Sequence, residues 1–384
     1  MKVLYLGTDG SKSGASLSMI GVAKEARKYG IEVSIIIPSH GELEEELIKE
    51  KIRYSVVPTF NWIEEKNKKP LITHVKRWIK KIWNLWGEHR IYSIMKKENP
   101  DIVHLNTICS GSGAISAIRQ KRKLVWHIRE FVEEDHGYRF WDKKKTYKLL
   151  SRAELIIAIS KSVYDKFSRD LPNADIKVIY NGVDVDKFLN SNHQIFSNLP
   201  RIDILMGGSI AESKGQHELI EAAKLLKSDK EHEYKIHFAG KARPEYLEKL
   251  KCMVIQYELA HMVEFEGFKD NMNQIWAKAD IAVVCSRAEA FGRVTVEAML
   301  SGALVIGANT AGTSELIDNM KTGLLYKQGD SRDLASAIKY AAQNNKMMKK
   351  IAYEGQKQAE EKYTSVRNAK EIVQAYQEIL RIYG

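Results

Sequence analysis

Two α/β domains, each a parallel sheet wrapped by helices in doubly wound fashion, are what this sequence predicts. Three observations lead there. Short apolar runs of strand length alternate with helical stretches through both halves of the chain, the pattern of βαβ units. The 384 residues suffice for two domains of ordinary size, each with its own core. In each half, a strand runs into a glycine loop and then a helix, at residues 2–16 and again at 201–217.

Composition narrows the class. The hydrophobic share of 44% and charged share of 28% are those of a soluble globular protein. The chain contains no apolar run of about 18 residues, so no membrane-spanning helix is expected. Met1-Lys-Val-Leu-Tyr-Leu6 reads as a strand and lacks the apolar stretch and cleavage site of a signal peptide. Cys109, Cys252 and Cys285 are widely spaced and mostly in apolar contexts; buried reduced thiols in the cytoplasm are expected, with no metal-binding spacing. A formal charge of +11 favours phosphate-bearing partners. No nucleic-acid recognition module is present, which leaves anionic lipid or an anionic substrate.

In chain order, the first half reads as follows. Residues 2–6 form a strand, the loop Gly7 to Ala15 follows, and a helix runs from about Ser16 to Tyr29. The loop has neither dinucleotide nor P-loop spacing, so by itself it is a tight turn that can cradle an anion. Glu32–Ile37 is a buried strand, Gly41–Ile52 an acidic helix and Tyr54–Val57 a third strand. Asp101–Asn106 and Leu124–Glu130 are further strands; His127 lies at the end of the second, where a side chain facing a cleft would emerge. Arg129 and Glu130 beside it are weaker candidates, with a loop-stiffening ion pair as their alternative. A strand at Ala153–Ser160, a helix at 162–170 and Ile176–Tyr180 lead to the turn Asn181-Gly-Val-Asp184.

Between Pro70 and Asn99 the chain is unusual. Val75, Ile79, Ile82 and Trp86 follow helical spacing, Trp78 and Trp83 flank them, and Lys76, Arg77, Lys80, Lys81 and Arg90 fill the rest. Residues 72–97 therefore suit peripheral contact with an anionic membrane, and equally a core-packing helix with a solvated basic face. The inner face of the plasma membrane is the surface that a cytoplasmic protein of this kind would meet.

The second half follows a polar segment, 187–200, read as a linker. It opens with strand Arg201–Ile210, then Ala211-Glu-Ser-Lys-Gly-Gln-His217 and a helix to Leu226. Gly208, Gly215 and Lys214 ahead of that helix suit a pyrophosphate. Strands at 234–240 and 263–268 end in glycine loops, and a short helix spans Ile275–Lys278. Next comes the densest motif. Strand Asp280–Ser286 leads into Arg287-Ala-Glu-Ala-Phe-Gly-Arg-Val-Thr-Val-Glu297, so Glu289 and Glu297 flank the Phe291–Gly292 turn ahead of a helix. Glu289 can hold sugar hydroxyls, the amides from Phe291 through Gly292 and Arg293 to Val294 a pyrophosphate, and Glu297 a ribose. Gly312 and Thr313 offer amides at a later helix start, and residues from Arg332 to Tyr383 read as helical.

Two glutamates separated by seven residues, with Phe-Gly between them and Glu-Ala-Met following, resemble the donor-site signature of family 4 retaining glycosyltransferases. The resemblance extends over nearly the whole chain and is strongest from Gly207 to Gly323. It implies the GT-B fold, two Rossmann-like domains facing an interdomain cleft: residues 1–186 on the acceptor side, a linker at 187–200, residues 201–365 binding the nucleotide sugar, and 366–384 crossing back to the first domain. It further implies that His127 faces the donor sugar, that Gly14 and Ala15 border the acceptor, and that Asn181 to Asp184 close the first domain. Lys241, Arg243, Phe268 and Lys269 fall near the nucleobase, and Glu315 near the same site. The family pattern has arginine where Ser209 stands, and this chain departs from it there.

What the resemblance implies is a hexose-type transfer, with retention, from a UDP- or GDP-type donor to a glycan or lipid-linked acceptor in cell-surface polysaccharide synthesis, with no cofactor and no metal. Glu289, His127 and Lys214 are the expected catalytic residues, and Ser209, Gly208, Lys214, Phe291, Gly292, Arg293, Val294, Glu297 and Phe268 the expected donor contacts. The alternative is a non-catalytic nucleotide-sugar or glycan-binding homologue, for which Ser209 is the best argument.

Overall fold

The computed structural model describes residues 1–66, 70–135 and 137–383. Residues 67–69 of the basic stretch, and Gly384 at the end of the expected last helix, lie outside them. The chain divides into two compact units, Met1–Gly182 with Ser365–Gly384, and Val183–Thr364.

The first unit is built on a parallel sheet of β1 (Lys2–Leu6), β2 (Glu32–Ile37), β3 (Arg53–Val56), β5 (Ile102–Leu105), β6 (Lys123–Ile128), β8 (Leu155–Ala158) and β9 (Ile176–Val178), ordered β3-β2-β1-β5-β6-β8-β9. Its strands are near-continuous apolar runs because both faces are covered. Sequence patterning does not reveal β4 (Ile63–Glu65) and β7 (Tyr138–Phe140), which pair antiparallel in a small separate sheet. The helix Gly14–Lys28 starts two residues before the expected Ser16, because Ser13 caps it by accepting the Ser16 N–H at 3.3 Å. The helix Ser365–Tyr383 supplies Ile372, Val373, Tyr376 and Ile379 to the same core as Val3, Tyr5 and Met19.

The second unit contains β10 (Arg201–Gly207), β11 (Glu233–Ala239), β12 (Val263–Gly267), β13 (Ile281–Val284), β14 (Leu304–Ala308) and β15 (Leu324–Tyr326), all parallel, in the order β12-β11-β10-β13-β14-β15. The order reverses between β10 and β13. Open α/β sheets bind ligands at such switch points, beyond the carboxyl ends of the strands. In the first unit the same reversal falls between β1 and β5.

Three expectations are corrected. Residues 187–200 are not a free linker: Ile195 and Phe196 are buried in the second unit's core, and the Asp280 carboxylate accepts the Phe196 N–H. The polar residues around that pair mask it. Cys252 is exposed, because the helix Pro244–Gln256 turns Tyr246, Leu250 and Val254 inward instead. The short helix near 275–278 is Met272–Trp276. The expected helical stretch from Arg332 is present, as three helices, Ser331–Gln343, Asn345–Lys362 and Ser365–Tyr383.

Candidate functional site

Loops at the carboxyl ends of β10, β11, β13 and β14 crowd together in the second unit, and glycine makes the crowding feasible. A Cβ on Gly240 would lie 1.8 Å from the Gly208 carbonyl oxygen, and one on Gly215 2.4 Å from that of Cys285. A Cβ on Gly312 would lie 2.7 Å from the Glu289 carbonyl oxygen. The loop after β13 is tied down on several sides. Arg287 N–H donates to the Ser213 carbonyl at 3.1 Å, Gln328 Nε2 donates to the Arg287 carbonyl at 2.8 Å, and Gly312 N–H donates to the Glu289 carbonyl at 2.8 Å.

That fixed backbone aims Glu289 at Lys214. The Lys214 Nζ lies 2.6 Å from Glu289 Oε2, and both side chains are only partly covered. Lys214 ends a short 3-10 turn, Glu212–Lys214, and Gly215 in the left-handed region starts the helix Gln216–Leu226. Gly292, with φ of 98°, starts the helix Arg293–Leu300, and the first amides of a helix point outward from its N-terminus. Gly208 and Val294 are neighbours: a Cβ on Gly208 would be 3.5 Å from Val294 Cγ1.

Glu297 sits one turn into its helix, with Arg293 Nη2 3.3 Å from its Oε1. Burial pushes its carboxyl up, and Arg293 and Trp276 pull it back. Of the two arginines flanking the turn that could supply the charge Ser209 lacks, Arg293 is thus engaged with Glu297 and Arg287 is exposed. Ser209 is exposed and its carbonyl accepts from Gln216 Nε2 at 3.0 Å. Phe291 is buried against Tyr363, ring centroids 6.0 Å apart, so its side chain packs while its backbone forms the turn. Phe268 is 65% exposed on the loop after β12, and Glu315 lies half-buried on the helix Ala311–Leu316.

His127, Gly14 and Ala15 belong to the first unit. His127 is wholly buried rather than emerging from its strand. Burial, with Arg129 second, holds its pKa well below the ordinary histidine value, so the ring is neutral. Arg129 donates from Nε to Asn106 Oδ1 at 2.8 Å and from Nη1 to Asn181 Oδ1 at 2.6 Å, and its Nη2 faces His127 Nδ1 at 3.2 Å. Asn106 Nδ2 in turn donates to the Ala15 carbonyl at 3.0 Å, so Ala15 and His127 share one polar network. Gly14 is exposed at the helix start. Glu130 accepts from Thr107 Oγ1 and the Ile108 N–H, and burial beside Asp135 raises its pKa to about 7. Local patterning missed His104, Tyr376 and Tyr5, which complete this network; a histidine inside the apolar run of β5 was the only local sign.

Among the described residues, His237, Glu264 and Glu266 hold potential metal-ligand atoms within 4.8 Å of one another. Asp203 and Glu266 face the two ring nitrogens of His237 and raise its pKa, while Lys269 Nζ lies 3.1 Å from Glu266. His237 and Lys269 already pair with those carboxylates.

Two doubly wound units, the second with a glycine-walled Lys–Glu pair at its switch point, form the architecture against which known families compare. The family described as glycosyltransferase family 4 matches residues 12–187, and the one described as glycosyl transferases group 1 matches residues 190–358. The chain belongs to the family 4 glycosyltransferases. It is 26% identical over 296 residues to the capsular polysaccharide biosynthesis glycosyltransferase CapM of Staphylococcus aureus, covering 71% of this chain and 75% of that one. It is 23% identical over 359 residues to the O-antigen biosynthesis glycosyltransferase WclY of Escherichia coli, 90% of each chain. Its backbone matches the crystal structure of Anabaena Alr3699/HepE in complex with UDP and glucose with a TM-score of 0.80, at 24% identity, over 98% of this chain and 99% of that one.

Proposed function

We infer that this glycosyltransferase moves a hexose-type sugar, with retention of anomeric configuration and without a metal, from a UDP- or GDP-type nucleotide sugar to a glycan or lipid-linked acceptor in cell-surface polysaccharide synthesis. The carrying observation is the Lys214–Glu289 pair beside the Gly292 helix start. Lys214 supplies positive charge to a leaving diphosphate, the backbone amides of the turn add donors, and Glu289 orients sugar hydroxyls. Glu297 holds the ribose and Gly208 and Val294 flank the phosphates; His127, which the resemblance implies faces the sugar, is the candidate on the first unit. The similarity to capsule and O-antigen enzymes supports the pathway class, and the UDP complex of the structural neighbour supports the donor class.

A thermal-shift screen against nucleoside diphosphates and their sugars identifies the donor, since a ligand bound only by the folded state raises its stability. Release of nucleoside diphosphate with that donor and a glycan or lipid-linked acceptor establishes transfer. Donor binding without release in any acceptor's presence establishes instead the non-catalytic reading, which the uncharged, exposed Ser209 favours.

Peripheral membrane contact completes the proposal. The helix Pro70–Glu98 exposes Trp78 to 68%, Ile82 to 61% and Leu85 to 72%, and Lys76 and Lys81 are exposed as well. Its far side is anchored: Glu88 accepts the Gly113 and Ser116 N–H groups at 2.6 and 2.7 Å, and Ile91 and Met95 are buried. Exposed apolar and cationic side chains on one helix suit an anionic bilayer surface. Arg77 is excluded from that rim, because it is clasped by both oxygens of Glu64 at 2.7 Å. Among the described residues no helix is long and apolar enough to cross a membrane.

A further inference from the structure

We propose that Tyr376 and His104 are positioning residues that fix the tautomer of His127, holding its Nε2 as a hydrogen-bond donor. This rests on the reading of His127 as the sugar-facing histidine.

A buried chain of polar atoms crosses the first unit. Tyr5 Oη lies 2.9 Å from Tyr376 Oη, Tyr376 Oη 2.6 Å from His104 Nδ1, and His104 Nε2 3.2 Å from His127 Nδ1. All four side chains are at most 1% exposed. Taken alone, the chain can run in either direction. Arg129 decides, because a guanidinium only donates. With Arg129 Nη2 3.2 Å from His127 Nδ1, that nitrogen carries the lone pair. His104 must then donate from Nε2, so its Nδ1 accepts, and the Tyr376 hydroxyl spends its one hydrogen there. The Tyr5 hydroxyl completes the sequence by donating to Tyr376. Both imidazoles are neutral, because burial and the nearby Arg129 charge push each well below the ordinary histidine range.

One hydrogen remains, on His127 Nε2, and that atom is buried without a hydrogen-bond partner. A stranded buried donor is costly, and it persists where the surroundings over-determine it. The chain does this: reversing the His127 tautomer would set an N–H against the Arg129 N–H and leave His104 facing it with the wrong atom. His127 therefore meets a ligand as a donor to an oxygen, not as a proton acceptor. The last link sits on the helix Ser365–Tyr383, so that helix sets the chemistry of a side chain 249 positions earlier, the separation of residues 376 and 127.

The test is a long-range proton–nitrogen correlation spectrum of the full chain labelled in histidine with heavy nitrogen, without ligand. Loss of signals in His104→Gln and His127→Asn assigns the two rings. The expected result is His127 as the neutral Nε2–H tautomer from about pH 6 to pH 8, with a second, Nδ1–H population in Tyr376→Phe and His104→Phe. Turnover on the donor chosen by thermal shift should fall by up to about tenfold in Tyr376→Phe, a supporting hydrogen bond's worth, with donor KM nearly unchanged. His104→Gln, whose amide can donate from the same place, should keep most of the turnover that His104→Phe loses. A wild-type Nδ1–H tautomer, or an unchanged tautomer in both Tyr376→Phe and His104→Phe, overturns the proposal. His127→Ala separates the two readings. Full turnover in it refutes the sugar-facing role while leaving the tautomer result intact. Lost turnover, with tautomers unmoved in the other variants, refutes the positioning chain alone.

Discussion

Lys214 and Glu289, 75 positions apart, form a 2.6 Å ion pair at the carboxyl edge of β10 and β13. Each therefore occupies the other. A diphosphate that recruits Lys214 must compete with the carboxylate, and the competition gives the pair opposite mutational signs.

Glu289→Gln should bind UDP or GDP more tightly than the native protein, because Lys214 is released. The same variant should lose about a hundredfold or more in turnover, the size seen when a group aimed at the transition state is removed. Stability should change by no more than about 1 kcal/mol, since the pair is partly exposed. Calorimetry for affinity, nucleoside diphosphate release for turnover and denaturant titration for stability check the three effects.

Lys214→Ala should weaken nucleoside diphosphate binding by about 10- to 100-fold, the range of a lost charge-assisted hydrogen bond. Unchanged affinity by calorimetry removes Lys214 from the site.

Gly215→Ala places a Cβ 2.4 Å from the Cys285 carbonyl oxygen at φ of 75°. The left-handed backbone alone costs about 1–2 kcal/mol, and the overlap adds to it. The urea midpoint should drop, and donor binding should weaken further than the stability loss explains, because Lys214 is the adjacent residue.

Glu130 titrates near neutrality, with a pKa of about 7 caused chiefly by burial and then by Asp135. A carboxyl whose folded pKa exceeds its unfolded value binds more protons when folded. Stability is then fully present below about pH 4.5 and declines as pH rises toward 7, by up to about 3 kcal/mol. Glu130→Gln should flatten that decline. Urea titrations of both proteins across this range give the slope directly.

Trp78→Ala with Ile82→Ala should abolish co-sedimentation with phosphatidylglycerol vesicles and leave the urea midpoint within about 0.5 kcal/mol of native, as for exposed positions. Sedimentation of native protein that ignores anionic lipid content rejects the membrane contact.

Local sequence carried the parallel strands, because strands covered on both faces must be apolar and helices between them must keep one apolar side. It also carried the Gly292 turn, since a left-handed residue between two carboxylates leaves a readable mark. Pairings between distant positions leave none. The three-residue strands β4 and β7 are too short for a period, and His104 and Tyr376 meet across 272 positions. Ile195 and Phe196 lie hidden among polar neighbours, so a buried segment reads as a linker. Ser209 was visible as a departure from the family pattern, yet only the structure places Arg293 on Glu297.

The helix Ser365–Tyr383 gives the first unit part of its core through Ile372, Val373, Tyr376 and Ile379. During synthesis these side chains are made only after all of Val183–Thr364. The first unit's core therefore stays open until the chain beyond Thr364 has been made, with the apolar surface of β1 and its neighbouring helix uncovered in the meantime. Of the two lobes, the one begun earlier is the one completed later, and its exposed interval is when chaperones would find it.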